Sequence, residues 1–106
     1  MSKYLLHGSY TEEGLKGLLK DGGTKRMEET KKAVESLGGK LEAYYFAFGD
    51  NDFYLIVDNP ENVNAISGSL IANASGAVKV KITVLITPEE VDQAVKKTMG
   101  WRPPGQ

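Results

Sequence analysis

The chain of 106 residues contains no cysteine and a single histidine, His7. The lack of cysteine excludes disulfide bonds, thiolate nucleophiles and zinc or iron–sulfur sites built on cysteine. One histidine is also too few for a hydrolytic metal site built on a histidine cluster. No apolar run approaches the roughly 20 residues that a membrane-spanning helix needs. We therefore expect a protein without a bound metal, without a cofactor and without a membrane partner.

An excess of charge of one sign is absent as well, because 13 lysines and arginines balance 14 aspartates and glutamates. With a pI near 5.8, the chain lacks the basic character of proteins whose main partner is nucleic acid. Its first residues lack the apolar stretch and the small-residue cleavage site of a signal peptide. The sequence thus predicts a cytoplasmic protein that does not bind nucleic acid.

Hydrophobic periodicity and capping residues predict an alternation of strands and helices. Strands are predicted at residues 3–10, 41–48, 52–58 and 77–86. Helices are predicted after Thr11, Thr24, Asn59-Pro60 and Thr87, the last one ending at Gly100. The order β-α-β-β-α-β with a C-terminal helix is typical of an α+β, ferredoxin-like fold with an antiparallel sheet and helices on one face. We expect one domain over residues 1–100 and an extended tail over residues 101–106.

One face of the predicted sheet has no helix to cover it, and we call it the open face. In the last strand, side chains alternate between an apolar face and a face that carries Lys79, Lys81 and Thr83. The strand at 53–57 is apolar on both faces, although helices can cover only one of them. Because a contiguous exposed apolar surface usually marks an interface, we expect a second copy to cover the open face in a homodimer or larger homo-oligomer.

The central segment AYYFAFGDNDFYLIVD holds three aspartates, Asp50, Asp52 and Asp58, within an apolar run. Aspartate and asparagine tolerate turn dihedrals and bond to nearby backbone groups. A calcium or magnesium site needs about six oxygen ligands around one point, which these strand-end carboxylates do not supply. We interpret the three acids as residues of the hairpin turn and the strand ends.

Three segments carry a resemblance to a known family: YLLHGSYTEEGLKGLLKDGGTKR, SLGGKLEAYYFAFGDNDFYLIVD and TPEEVDQAVKKTMGWRPPG. Together they resemble the GYD-domain family of small bacterial and archaeal proteins, named for a glycine, tyrosine, aspartate signature at the central hairpin. Gly49 and Asp52 match that signature, whereas Asn51 stands where tyrosine is usual. The resemblance implies a dimeric α/β barrel. Related barrels include cofactor-independent monooxygenases, isomerases, haem-handling enzymes and ligand-sensing modules, and the fold alone does not choose among them.

The candidate site lies on the open face, where His7, Lys79, Lys81 and Thr83 are predicted to meet. His7 could act as a catalytic general base, and the lysines could bind an anionic ligand or stabilise an oxyanion. The alternatives are a packed structural histidine and lysines that protect a solvated edge strand. Tyr44 and Tyr54 are candidate ligand donors. The turn length leaves open whether Phe48 shares a face with Phe53 or with Tyr54, and hence whether Tyr44 or Tyr45 faces the ligand.

A second candidate is an anion site formed by Thr24, Lys25 and Arg26 at a helix N-terminus; its alternative is a helix kink with solvated charges. For the tail, Trp101 suggests docking on a neighbouring subunit or a lid over the barrel. The sequence thus predicts a homo-oligomeric small-molecule-binding protein with a ligand chamber between sheet faces. Two alternatives remain: a cofactor-independent isomerase or monooxygenase acting on a small anionic or aromatic substrate, and a purely structural assembly module.

Overall fold

The computed structural model describes residues 2–47 and 49–106. Within these residues the chain forms one antiparallel sheet of four strands, in the order β2-β3-β1-β4, and four helices. This α+β, ferredoxin-like arrangement confirms the predicted fold class. The elements are β1 (Ser2–Tyr10), α1 (Glu12–Asp21), α2 (Gly23–Ser36), β2 (Lys40–Phe46), β3 (Phe53–Asn59), α3 (Asn62–Ala74), β4 (Val78–Leu85) and α4 (Pro88–Ala94).

Local capping chemistry sets the start of two helices. Thr11 caps α1 and accepts a hydrogen bond from the backbone N–H of Gly14. Thr87 and Glu90 form a reciprocal capping box at the start of α4. Both caps were predicted from the sequence, and both are confirmed. The predicted cap at Thr24 is wrong, because α2 already begins at Gly23 after a glycine cap.

The start of α3 differs from the prediction, because Asn59 ends β3 instead of capping the helix. Its side chain is only 2% exposed. The Nδ2 amide donates to the carbonyl of Leu37 over 3.1 Å, and Oδ1 accepts from the N–H of Glu61 over 3.0 Å. These bonds join the end of α2, the end of β3 and the approach to α3. The helix therefore begins at Asn62, beyond the expected proline.

The last helix is shorter than predicted, ending at Ala94 and not at Gly100. Every residue from 88 to 106 is exposed, including Val95 at 75% and Met99 at 76%. Short helices owe most of their stability to tertiary packing of an apolar face. Here that packing is missing within the chain, so the helical turns stop early. None of the helices in the described part of the chain is both long enough and apolar enough to cross a membrane.

The core lies between the sheet and the helices, on the face predicted from strand alternation. Tyr4, Phe53, Leu55 and Val57 are each at most 5% exposed. Gly8 shares this face, and a Cβ there would lie 1.9 Å from the carbonyl oxygen of Lys79. Glycine is therefore needed where β1 and β4 come close. The residues of β1, β3 and β4 that alternate with these core residues pair with one another across the strands and lie on the open face.

A charged cluster joins three strands at one end of the open face. The amine of Lys3 on β1 donates to Glu42 on β2, and it lies 3.2 Å from Asp58 on β3. The hydrogen bond with Glu42, followed by that with Lys3, holds the pKa of the Asp58 carboxyl below its usual value, although burial opposes the shift. The hydrogen bond to Glu42 is likewise the main cause that raises the pKa of Lys3.

Asn59→Ala should lower the free energy of unfolding by about 2 kcal/mol, since it removes two hydrogen bonds made by a buried side chain. Asn73→Ala is the matched control, because Asn73 also bridges two backbone groups of Val80 but lies exposed. Water can replace those bonds, so the control should lose less than about 1 kcal/mol. Urea unfolding measures both, and equal losses would contradict the buried role of Asn59.

The cluster around Lys3 predicts that the effect of Asp58→Asn on stability depends on pH. The folded state lowers the pKa of Asp58. The carboxylate therefore adds to the free energy of unfolding at any pH above its pKa in the unfolded chain, about 4. This stabilisation is lost as the pH falls through its pKa in the folded protein. Asp58→Asn should therefore lower the urea midpoint at pH 7, with the difference from the unmodified protein shrinking below about pH 4. Asp50→Asn, on the exposed loop, is the control. A difference that stays constant down to pH 2 would refute the pairing.

Candidate functional site

The open face carries the candidate site and brings together residues from every strand of the described sheet. Strand pairing places His7 opposite Tyr54 on one side and opposite Lys81 on the other. The same pairing places Ser9 opposite Lys79, and Leu5 opposite both Ile56 and Thr83. The predicted site residues on this face are thus adjacent: His7, Tyr54, Lys79, Lys81 and Thr83.

Two contacts hold the His7 ring, one with its face and one with its Nδ1 atom. It stacks on Tyr54, with ring centroids 6.0 Å apart and an interplanar angle of 16°. Its Nδ1 atom lies 3.2 Å from Oδ1 of Asn51, and Nδ2 of Asn51 donates to the hydroxyl of Tyr54 over 3.2 Å. We call His7, Asn51, Tyr54 and Lys81 the His7 cluster.

The Asn51 contact matches one tautomer of His7. With the amide oxygen of Asn51 facing Nδ1, the hydrogen bond forms when Nδ1 carries the proton and donates it. In the neutral imidazole, Nε2 is then the atom with a free lone pair. The ring is thus oriented as a proton acceptor through Nε2, with Tyr54 and Lys81 as neighbours.

Sequence reasoning assigned Asn51 to the turn alone and missed its contact with His7. The two residues are 44 positions apart, and the contact forms because the loop after β2 folds back over the sheet. The one available signal was that Asn51 occupies the signature position where tyrosine is usual. A short amide at this position reaches both His7 and Tyr54.

The two lysines of the open face remain available to a ligand. Lys79 and Lys81 lie on β4 and are exposed. Among residues 2–47 and 49–106, neither amine forms an ion pair with a carboxylate of the chain. By contrast, Lys3 at the far end of the face is already paired with Glu42 and Asp58. Positive charge on the open face therefore concentrates beside His7.

Tyr44 does not belong to this face, so its assignment to the same chamber as His7 is wrong. A β-bulge between Leu41 and Ala43 inserts one residue into β2 and reverses the alternation beyond it. Tyr44 therefore faces the helices, with its hydroxyl 3.1 Å from that of Tyr10. Tyr45 takes the open face instead, opposite Tyr54, and is 70% exposed.

The aspartates of the central segment serve the fold. Asp52 accepts a hydrogen bond from the N–H of Tyr10 over 2.9 Å, and its own N–H donates to the carbonyl of Gly8 over 2.7 Å. The loop is thereby tied to β1. In the described ranges, 2–47 and 49–106, no group of three or more histidine, aspartate or glutamate side chains is arranged to hold a metal ion. The sequence did not decide on which face of the sheet Phe48 lies, and Phe48 is outside the described residues.

The second candidate, at the start of α2, has a different geometry from the one expected. Lys25 and Arg26 each lie 3.9 Å from the carboxylate of Asp21 at the end of α1. Thr24 lies within the first turn of α2 and does not cap it. The two cations therefore already face a carboxylate of the chain, so this helix start offers little free positive charge to an external anion.

Comparison with known proteins places these elements in a family. A search of curated proteins found no match, and a search of solved structures found none either. The family model described as GYD domain matches residues 4–95. The match runs from β1 to the end of α4 and includes the central loop that holds His7 through Asn51. On that match, the chain belongs to the GYD-domain family.

Proposed function

We propose that this GYD-domain protein is a homo-oligomer that binds a small molecule between the open faces of two copies. The observation that carries the proposal is the His7 cluster, a ring oriented by Asn51 and Tyr54 on the sheet face opposite the helices. Beside it lies Lys81, which forms no ion pair within the described part of the chain. His7 lies on the open face of a central strand and not in the core, so a ligand between two open faces would meet it.

The apolar residues of the open face favour a second copy as its cover. Leu5 and Ile56 lie side by side at its centre, and Tyr45 is 70% exposed near the edge. From strand spacing and rise, the face measures about 19 Å by 23 Å. That area is roughly half of the ~800 Å² per partner of a standard interface. The sheet face therefore supplies the centre of the interface, and the rest comes from other exposed segments.

The C-terminal segment, residues 88–106, is well suited to supply the remainder. It is exposed throughout, and its apolar members Val95, Met99 and Trp101 are each at least 65% exposed. Exposed apolar surface of this kind marks sites of protein contact. Docked on a neighbouring copy, Trp101 would become an anchor of the type that concentrates binding energy in interfaces.

The chemistry of the face indicates a small aromatic or apolar anion as the ligand. Lys79 and Lys81 offer two positive charges, Tyr54 offers a hydroxyl, and Leu5 with Ile56 offers an apolar floor. Covering the face with a second copy removes water and strengthens each charged contact. A carboxylate or enolate attached to an apolar body matches this combination of groups.

Proton transfer is the reaction that this arrangement supports best. With Nδ1 donating to Asn51, Nε2 of His7 can accept a proton from a bound substrate. Lys81, paired opposite His7 on β4, can stabilise the negative charge that then develops on the substrate oxygen. Cofactor-independent isomerisation or oxygenation of a small anionic or aromatic substrate both begin with such a step.

Salicylate, an aromatic carboxylate, is a suitable probe for this site. As His7 is the only histidine of the chain, its ring signals in tag-free protein report binding unambiguously. Lys81→Ala should weaken salicylate binding about tenfold, the size of one lost charge-assisted contact. Lys79→Ala should have a similar or smaller effect. Nuclear magnetic resonance titration of the His7 ring measures both.

The matched control is Lys16→Ala on α1, whose amine lies 3.7 Å from Glu12 and far from the open face in the topology. It should leave salicylate affinity unchanged. Equal affinities for all three variants, or no shift of the His7 ring at millimolar salicylate, would contradict ligand binding here. The open face would then serve assembly alone.

A further inference from the structure

We propose that the protein has a second ligand site, inside the fold, for an aromatic molecule that carries one hydrogen-bond acceptor. A cavity of about 470 Å³ lies between the helices and the helix-covered face of the sheet. Its walls include Leu6 and Phe53 from the sheet and Val34 and Ala72 from the helices. The site is on the opposite face from the His7 cluster, so it does not rest on the function proposed above.

The size of this cavity distinguishes it from ordinary packing. The cavity is partly open to solvent, and the apolar side chains along its walls lack the dispersion contacts that close packing would give them. Small-molecule sites typically measure about 300–1,000 Å³ and are mostly apolar. The cavity falls in that range. It arises because small residues, Gly17, Gly68 and Ala72, line the helical side opposite the sheet.

The polar groups of the cavity define the acceptor end of the ligand. The hydroxyls of Tyr10 and Tyr44 lie 3.1 Å apart, and both residues line the cavity. One hydroxyl donates to the other, which leaves one O–H to donate to a ligand. Burial raises the pKa of Tyr10, so this group stays protonated and remains a donor. Arg26 also lines the cavity, but its guanidinium lies 3.9 Å from Asp21, and Glu13 and Glu29 line the same space, so the donor left for a ligand is the tyrosine pair.

The ligand class follows from these walls and donors. Aromatic and aliphatic side chains surround the body of the molecule, with Phe53 already packed against Tyr10 at a centroid distance of 5.2 Å. An acceptor oxygen on that body, such as a carbonyl or sulfonate oxygen, can accept from the tyrosine pair. The anilinonaphthalene sulfonate dye 1,8-ANS combines an aromatic body with such a group, and its fluorescence rises in apolar surroundings.

Gly17 provides a way to fill the cavity without harming the fold. It lines the cavity, and a Cβ built on it meets no atom within 4 Å. Gly17→Leu should occupy part of the space, and it also replaces glycine within a helix by a better helix former. Gly17→Ala is the matched control, since it brings the same gain in helix propensity with little filling.

Fluorescence titration with 1,8-ANS tests the proposal. The Gly17→Ala protein should bind the dye as the unmodified protein does, and Gly17→Leu should bind it at least tenfold more weakly. Tyr44→Phe should weaken binding a few-fold, and His7→Ala should leave it unchanged. Both Gly17 variants should melt at a temperature no lower than the unmodified protein. If Gly17→Leu lowers the melting temperature, Ala72→Leu fills the cavity from the α3 side and gives the same test.

Equal dye affinity in Gly17→Ala and Gly17→Leu would overturn the internal site. Loss of dye binding in His7→Ala would also overturn it, because the dye would then lie on the open face. That second result would support the function proposed above. The two proposals therefore fail separately.

Discussion

The strand β3 imposes the constraint on which the rest of the structure depends. It is apolar on both faces and lies inside the sheet, between β2 and β1. Phe53, Leu55 and Val57 are buried by the helices, and this burial is the main source of stability for the domain. Tyr54 and Ile56 point the other way, where no helix of residues 2–47 and 49–106 covers the sheet. The proposed second copy would cover that side of the strand.

The two sides of the sheet have complementary chemistry. On the open face, His7 is oriented by side chains of a loop and a neighbouring strand, next to lysines that form no ion pair within residues 2–47 and 49–106. On the covered face, a tyrosine pair lies in an apolar cavity beneath small helical residues. The first arrangement suits charge and proton transfer, and the second suits an aromatic body that carries one hydrogen-bond acceptor. The bulge between Leu41 and Ala43 decides which of two adjacent tyrosines serves each side: Tyr44 faces the helices and Tyr45 the open face.

What could be predicted from the sequence is what local chemistry determines. Strand alternation located the covered face of β4, and threonine caps located α1 and α4, because each signal lies within a few residues. The errors arose from contacts between distant residues. Asn59 became a strand end because its amide meets Leu37, 22 positions away. Tyr44 changed face through a bulge that its own pattern did not reveal. Strand alternation nevertheless placed Lys79, Lys81 and Thr83 on the same face as His7. The contact of Asn51 was missed, because the path of a loop does not follow from alternation.

The most direct test of the central claim, that a second copy covers the open face, is sedimentation velocity at micromolar concentration. The unmodified protein should sediment as a dimer or larger oligomer. Tyr45→Lys, which places a charge on the open face at an exposed position, should shift it toward monomer. Leu19→Lys, at an 86% exposed position on α1, should leave the oligomer intact. A monomeric unmodified protein, or one that Leu19→Lys and not Tyr45→Lys dissociates, would contradict the account.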